Sequence, residues 1–220
     1  MTTIEASALL RPGLLEGTSM LLAGAPGPAE RAGDFRAAIG AAFAGLGAHV
    51  STCAAVAEGS DVDRGVAAEA AVTEALAEAG SIEVLVVDGA GLFAFALAGG
   101  DGTAEETAPA ALRACLEVAW NFTRAVVNVA FLPAGHARRI VYLAPAPDAG
   151  EHAEAARAGL ENLSRTLSIE WARHGITAVT VAPGAGTAPG EVAALAAYLA
   201  SAAGAYFSGC LLDLRGPARG

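Results

Sequence analysis

The sequence predicts an α/β domain built on one doubly wound parallel sheet with helices on both faces. Short apolar runs alternate with longer alanine-rich stretches of helical periodicity, a pattern typical of strand–helix units. The short runs are apolar throughout rather than at every second position, as expected of parallel strands covered on both faces. These two observations favour a Rossmann-like sheet.

The predicted elements follow one another along the chain in this alternation. The strands are expected at residues 19–23, 48–52, 82–87, 139–144, 176–181 and 209–214. The helices are expected at residues 34–46, 66–79, 110–132, 153–174 and 191–203. We expect residues 1–220 to form a single domain, with an N-terminal extension at 1–13 and a C-terminal tail at 215–220.

The composition is unusually apolar for a domain of this size. Hydrophobic residues make up 54% of the chain and charged residues 16%, so burial between subunits is expected. No apolar run reaches the roughly 20 residues that a helix needs to cross a bilayer. No basic segment followed by an apolar block opens the chain, so we expect a cytoplasmic protein that does not associate with membranes.

Charge and cysteine spacing exclude other classes of function. The net charge of −10 argues against nucleic-acid binding, which needs clustered cations. Cys53, Cys115 and Cys210 lie far apart and form no Cys-x-x-Cys pair, so buried reduced thiols are expected. The four histidines lack the spacing of metal ligands, and no metal site is predicted.

Several segments resemble the short-chain dehydrogenase/reductase family. The most specific is AGLENLSRTLSIEWARHGITAVTVAPG at residues 158–184, and further matches lie at 59–91, 137–147 and 191–216. The resemblance spans about residues 14–216. It implies the Rossmann-like fold, NAD(P)-dependent oxidoreductase activity, and assembly into dimers or tetramers.

The family's catalytic positions carry other residues here. In the family a tyrosine transfers the proton, a lysine lowers the tyrosine pKa, a serine orients the substrate and an asparagine supports a proton relay. Aligned by the flanking matches, these positions are Ala153, Arg157, Pro145 and Cys115, respectively. Halohydrin dehalogenases, a branch with Arg at the lysine position, still need the serine and tyrosine. The nearest tyrosine, Tyr142, is expected to pack in or beside the core.

The cofactor positions are equally altered. The resemblance places Gly24 and Gly27 in the family's glycine-rich phosphate turn, but Pro28 stands at its second glycine. Asp34 is expected to cap the next helix in a reshaped loop, although a rebuilt phosphate loop is the alternative. Asp61 aligns with an adenine contact, yet a lone Asp in a loop is more often a turn former.

Two further family features concern the lid and the interface. After Pro183 the family inserts a long segment that closes over the substrate, whereas here a short AGTAPG stretch leads into the last helix. Helix 110–132 is apolar nearly all round, and helix 153–174 has one large-residue face and one stripe of mostly small residues. The large-residue face is Ala156, Leu160, Leu163, Leu167 and Trp171. The small-residue stripe is Ala155, Gly159, Asn162, Thr166 and Ile169. The family forms its dimers with these two helices.

Three hypotheses for function follow. The first is a non-catalytic subunit that needs no cofactor and assembles with itself or with an active short-chain dehydrogenase. The second is an NAD(P)-dependent oxidoreductase with displaced catalytic residues. The third is a cofactor-free enzyme or small-ligand binder in which Arg157 holds an anion, although Arg157 could instead be structural, bonding backbone carbonyls or a carboxylate.

Overall fold

A computed structural model describes residues 6–27, 34–56, 59–99, 103–135 and 137–216. Its six strands are β1 (Ser19–Gly24), β2 (His49–Ala54), β3 (Val84–Asp88), β4 (Arg138–Leu143), β5 (Ile176–Ala182) and β6 (Leu211–Asp213). All neighbouring strands are parallel, in the order β2-β1-β3-β4-β5-β6. The predicted doubly wound parallel sheet is confirmed.

Eight α-helices surround this sheet in the described residues. They are α1 (Ala6–Leu9), α2 (Phe35–Gly45), α3 (Asp61–Ala79), α4 (Gly89–Ala98), α5 (Ala104–Val126), α6 (Leu132–Ala134), α7 (Ala153–Glu170) and α8 (Pro189–Ala200). A π-helical turn, Val127–Phe131, joins α5 to α6, and 3-10 turns follow α7 at Ala172–His174 and α8 at Ala202–Tyr206. No helix in this part of the chain is long and apolar enough to cross a membrane.

The core forms two layers, one on each face of the sheet. Side chains from α3, α5 and α7 pack on one face around the fully buried Tyr142. Those from α1, α2 and α8 pack on the other face around Phe43 and Val192. The predicted sheet-facing side of α7 is confirmed, because Ala156, Leu160 and Leu167 are buried.

Several predicted boundaries were wrong, and local capping explains one of them. Helix α3 begins at Asp61 rather than at residue 66, because Ser60 and Asp63 form a reciprocal capping box. Helix α5 begins six residues early, at Ala104, and accommodates Pro109 near its start. Helix α7 ends at Glu170, and β6 has three residues instead of six.

Helix α4 was not predicted from the sequence. Its sequence, GAGLFAFALA, is apolar without helical periodicity, so the pattern does not separate it from a buried strand. The side chain of Asp88 fixes its start by accepting a hydrogen bond from the amide of Gly91 at 2.9 Å.

Candidate functional site

The candidate site lies at the carboxyl ends of the strands, where the strand order reverses. The chain moves outward from β1 to β2 and then returns to β3 on the other side of β1. Ligands of open α/β sheets bind in the crevice outside such a switch point. Among the described residues, those that the resemblance aligns with cofactor and catalytic positions lie along this edge, with the exception of Asp61.

The end of β1 packs against the protein's own charged side chains. A Cβ atom on Gly24 would lie 3.3 Å from Asp88 Cβ and 3.4 Å from Arg36 Cδ. Arg36 Nη1 donates to the carbonyl oxygen of Ala25 at 2.7 Å. Because Gly24 has no side chain, the side chains of Arg36 and Asp88 can pack against the end of β1. Both side chains lie next to the first turn of α2.

Helix α2 is capped as predicted. The carboxylate of Asp34 accepts a hydrogen bond from the amide of Arg36 at 2.8 Å, which takes one of the free amides at the helix N-terminus. Gly27 has a φ of +104°, a conformation that favours glycine. Pro28, and with it most of the segment that could form a rebuilt phosphate loop, lies outside the described residues.

Asp88 is a buried carboxyl group at the end of β3. Only 3% of the residue is exposed. The pKa of Asp88 is raised to about 6, mainly by burial and to a smaller extent by the nearby Asp34, while the hydrogen bond from the Gly91 amide and the charge of Arg36 act to lower it. Two acidic side chains therefore border the first turn of α2, with Arg36 as the cation between them.

Three of the positions that the resemblance aligns with catalytic residues lie together on the other side of the crevice. Ala153 is the first residue of α7 and is buried, and Pro145 follows β4. Arg157 Nη1 donates to the carbonyl oxygens of both Pro145 and Pro183, each at 2.7 Å. Alanine and proline side chains carry no exchangeable proton. The interpretation of Arg157 as a structural residue agrees with these bonds.

The remaining atoms of the Arg157 guanidinium face two carboxylates. Its Nε lies 3.5 Å from Glu154 Oε2, and its Nη2 lies 3.6 Å from Asp213 Oδ1. Arg215 completes the cluster, with its Nη1 3.5 Å from Glu154 Oε1 and its Nε 2.8 Å from Asp213 Oδ2. The hydrogen bond from Arg215 holds the pKa of Asp213 below its usual range. Two cations and two anions thus balance one another over the catalytic positions.

Cys115 and Tyr142 are core residues. Cys115 Sγ lies 3.4 Å from the carbonyl oxygen of Gly89, and burial raises the pKa of this thiol to about 12. Tyr142 is fully buried, and its hydroxyl oxygen lies 2.8 Å from Thr123 Oγ1, so the predicted core role is confirmed. All three cysteines are free thiols; Cys53 and Cys115 are buried, whereas Cys210 is only partly buried.

The prediction that Asp61 forms a turn in a loop was wrong. Asp61 is the first residue of α3, where a carboxylate is stabilised by the positive end of the helix dipole. It pairs with Arg64, and Arg64 also pairs with Glu117 of α5 at 3.0 Å. The Asp61 carboxylate is therefore already paired with a side chain of this protein, on the surface of α3.

The connection after β5 is short, as the sequence indicates. Helix α8 begins at Pro189, only six residues after Pro183. Thr187 fixes the turn, since its Oγ1 accepts from the amide of Gly184 at 2.8 Å. Arg215 packs against the same turn, because a Cβ on Gly184 would lie 3.1 Å from its Cα. The described residues supply no long lid here.

Sequence reasoning missed most of the charged residues that fill the crevice. Asp88, Asp213 and Arg215 gave no signal, because sheet order alone brings the ends of β3 and β6 to this edge. Glu154 could have been found, since its spacing of three residues from Arg157 places both on one helix face. Within the described residues, no group of three or more potential metal ligands lies together.

Comparison with known proteins shows the fold. A short-chain dehydrogenase from Mycobacterium smegmatis superposes with a TM-score of 0.75 at 24% identity, covering 100% of this chain and 98% of that one. The citronellol catabolism dehydrogenase of Pseudomonas aeruginosa PAO1 superposes with a TM-score of 0.70 at 24% identity, covering 94% and 96%. An NADH-dependent reductase solved with NAD has a TM-score of 0.63 at 17% identity, covering 91% and 96%.

These likenesses establish a Rossmann-like fold of the short-chain dehydrogenase/reductase type along nearly the whole chain. No protein-family model matches the sequence, and no curated protein matches it.

Proposed function

We propose that this protein is a non-catalytic member of the short-chain dehydrogenase/reductase class that acts as an oligomer partner or structural scaffold. The observation that carries the proposal is the bonding of Arg157. Its Nη1 atom is committed to the carbonyls of Pro145 and Pro183, at the position where the family uses a lysine to lower a tyrosine pKa. Because Ala153 stands at the tyrosine position, there is no tyrosine whose pKa the Arg157 guanidinium could lower.

The dinucleotide fits poorly among the described residues. Asp34 and Asp88 flank the first turn of α2, where the phosphates of a dinucleotide would need positive potential. Asp34 also accepts from one of the amides that a phosphate would use. We therefore propose that no dinucleotide takes part in the function.

The surface of α5 and α7 supports the role of an oligomer partner. Gly159 packs closely on Leu116, since a Cβ at residue 159 would lie 2.7 Å from Leu116 Cδ2, so the two helices form one continuous layer. That layer leaves Ile169 77% exposed and Trp120 41% exposed. A second copy of this chain, or an active short-chain dehydrogenase with the same helices, would cover both side chains.

A cytoplasmic location is part of the same proposal.

A second candidate is an NAD(P)-dependent oxidoreductase with displaced catalytic residues. The fold favours it, since one of the similar structures is an NADH-dependent reductase solved with NAD. Arg36 also favours it, because its buried Nε has no hydrogen-bond partner in the described residues and lies beside Gly24. In this candidate Gly24, Gly27 and Arg36 would hold the phosphates.

The third candidate, a cofactor-free binder that holds an anion at Arg157, has less support. Glu154 and Asp213 already face the guanidinium, and a ligand would have to displace at least one of them. Removing a carboxylate from a buried cation is costly.

Thermal unfolding with millimolar NAD⁺, NADH, NADP⁺ or NADPH separates the first two candidates. A ligand at 100 times its Kd adds about 2.7 kcal/mol and raises the Tm by several degrees. The proposal predicts no shift with any of the four. A shift with one of them that disappears in Arg36→Gln, but persists in the exposed control Arg113→Gln, would establish the oxidoreductase candidate instead.

A further inference from the structure

At the amino ends of β4 and β5, opposite the crevice, the structure contains a basic cavity of about 470 Å³. Two consecutive arginines of β4, Arg138 and Arg139, line it together with three hydroxyl side chains. The hydroxyl groups are those of Ser168, Thr177 and Ser208. A neighbouring cavity of about 350 Å³ shares Ala137 and Gly175 with it and adds Arg173 and His174. In a chain with a net charge of −10, this is a local concentration of positive charge.

The guanidinium of Arg139 has no partner in the part of the chain that the structure describes. Its side chain makes no hydrogen bond or ion pair with any residue in the described ranges, and its Nε is buried. Burial lowers the pKa of Arg139, as expected of a desolvated cation that no carboxylate faces. Arg139 is half-buried, and a partly desolvated charge without a partner is destabilising.

Arg138 is more deeply buried and is only weakly paired. Its side chain is 7% exposed, its Nη1 donates to the carbonyl oxygen of Ala137 at 3.3 Å, and its Nη2 lies 4.0 Å from Glu83 Oε1. Its Nε has no hydrogen-bond partner among the described residues. The other oxygen of Glu83 accepts from the amide of Ser19 at 2.7 Å. Because consecutive strand residues point to opposite faces of the sheet, Glu83 faces Arg138 and not Arg139, whose positive charge stays unbalanced at the cavity.

We propose that this cavity binds a phosphoryl group, either inorganic phosphate or the phosphate of a small metabolite. The planar guanidinium presents N–H groups in a fork that matches tetrahedral oxyanions. The unbalanced charge of Arg139 attracts a dianion more strongly than a monoanion such as a carboxylate. Ser168 and Thr177 donate to backbone carbonyls, so their oxygens can still accept a hydrogen bond from a protonated phosphate oxygen, and Ser208 adds an exposed hydroxyl.

The site is independent of the crevice and of the function proposed for it. It lies at the other edge of the sheet and uses no residue aligned with a cofactor or catalytic position. Inorganic phosphate alone is therefore a suitable probe, since it reports on this cavity without a nucleotide.

The test is a calorimetric titration with inorganic phosphate at pH 7.5 and constant ionic strength, on the wild type and four variants. Arg139→Gln should weaken phosphate binding at least tenfold, and Arg139→Lys should weaken it less, because lysine keeps the charge but not the fork. Arg113→Gln, on the exposed surface of α5, and Arg36→Gln, in the crevice, should leave binding unchanged. Acetate at the same ionic strength should bind at least tenfold more weakly than phosphate.

Three results would overturn the proposal: no heat of binding with the wild type, equal binding by Arg139→Gln and the wild type, or acetate binding as tightly as phosphate. If Arg36→Gln were the variant that loses phosphate binding, the phosphate would be assigned to the crevice, and this result would also overturn the proposal. Because Arg139 has no partner in the described residues, its replacement by glutamine should not unfold the chain, and circular dichroism checks this.

Discussion

Arg157 Nη1 lies 2.7 Å from the carbonyl oxygen of Pro183, so a buried cation bonds helix α7 to the end of β5. The same atom donates to the carbonyl of Pro145 after β4, and the side chain is only 5% exposed. One guanidinium therefore joins the ends of two neighbouring strands to the first turns of a helix. Arg157 is thus a structural cross-link between α7 and the ends of β4 and β5.

Replacing Arg157 should destabilise the fold. In Arg157→Gln the two carbonyls lose charge-assisted hydrogen bonds worth about 1.5–3 kcal/mol each, and Asp213 loses a facing cation. We expect the free energy of unfolding to fall by about 3 kcal/mol, measured by urea denaturation. The control Arg165→Gln breaks an exposed pair with Glu161 and should cost less than about 1 kcal/mol. Equal stability of the two variants would contradict the cross-link.

Asp88 should make the fold less stable as the pH rises from about 4 to 6. Its pKa is about 6 in the folded protein and has a usual value of 3.8, so the folded state keeps a proton that the unfolded state has lost. The stability contributed by the neutral carboxyl is complete below pH 4 and lost above pH 6. A difference of roughly two pH units corresponds to about 3 kcal/mol.

Asp88→Asn isolates this effect. Asparagine caps helices about as well as aspartate, so the bond to the Gly91 amide can persist while the ionisation is removed. The variant should match the wild type near pH 4 and exceed its free energy of unfolding by up to about 3 kcal/mol at pH 7.5. Asp63 and Asp213, whose pKa values are lowered, are common to both proteins and cancel in the difference. A difference that does not change with pH would contradict the prediction.

The sequence predicted the sheet well because β1, β3, β4 and β5 are mostly apolar and buried, whereas the edge strand β2 is more polar and partly exposed. It did not predict α4, whose ten residues lack helical periodicity and whose start depends on the Asp88 side chain. The sequence did not predict the cluster of charged residues around Arg157 for a different reason. Pro183 and Asp213 come from distant strands, and only the sheet order brings them beside α7.

Gly89 should tolerate no side chain. A Cβ there would lie 2.7 Å from the carbonyl oxygen of Leu143 and 2.8 Å from Leu160 Cδ1, and the backbone carbonyl cannot move without disturbing β4. Gly89→Ala should lower the free energy of unfolding by about 1–3 kcal/mol, the usual cost of overpacking. The matched control is Gly40→Ala in the middle of α2, where the new Cβ would lie 3.8 Å from Leu22 Cδ2.

That control should raise the free energy of unfolding by up to about 1 kcal/mol, because alanine is a better helix former than glycine. Urea denaturation of both variants measures the contrast. A rise in both variants would show that helix propensity, not the contact with Leu143, decides the outcome at Gly89.

The oligomer proposal makes its sharpest prediction at Ile169. This side chain is 77% exposed on α7, beside the layer formed with α5, and an interface there would bury it. In Ile169→Glu the interface would have to accept an unpaired charge, which costs about 3 kcal/mol or more and weakens association by about a hundredfold. Light scattering after gel filtration should show the wild type as a dimer or tetramer and the variant at 21.7 kDa.

Val62→Glu is the matched control, since Val62 is 74% exposed on α3, away from α7. It should leave the mass of the oligomer unchanged, because a charge on a solvent-facing helix position is well hydrated. An oligomer that survives Ile169→Glu but not Val62→Glu would move the interface to α3. A wild type that is monomeric alone, but binds a purified active short-chain dehydrogenase through Ile169, would establish the mixed assembly over the homo-oligomer.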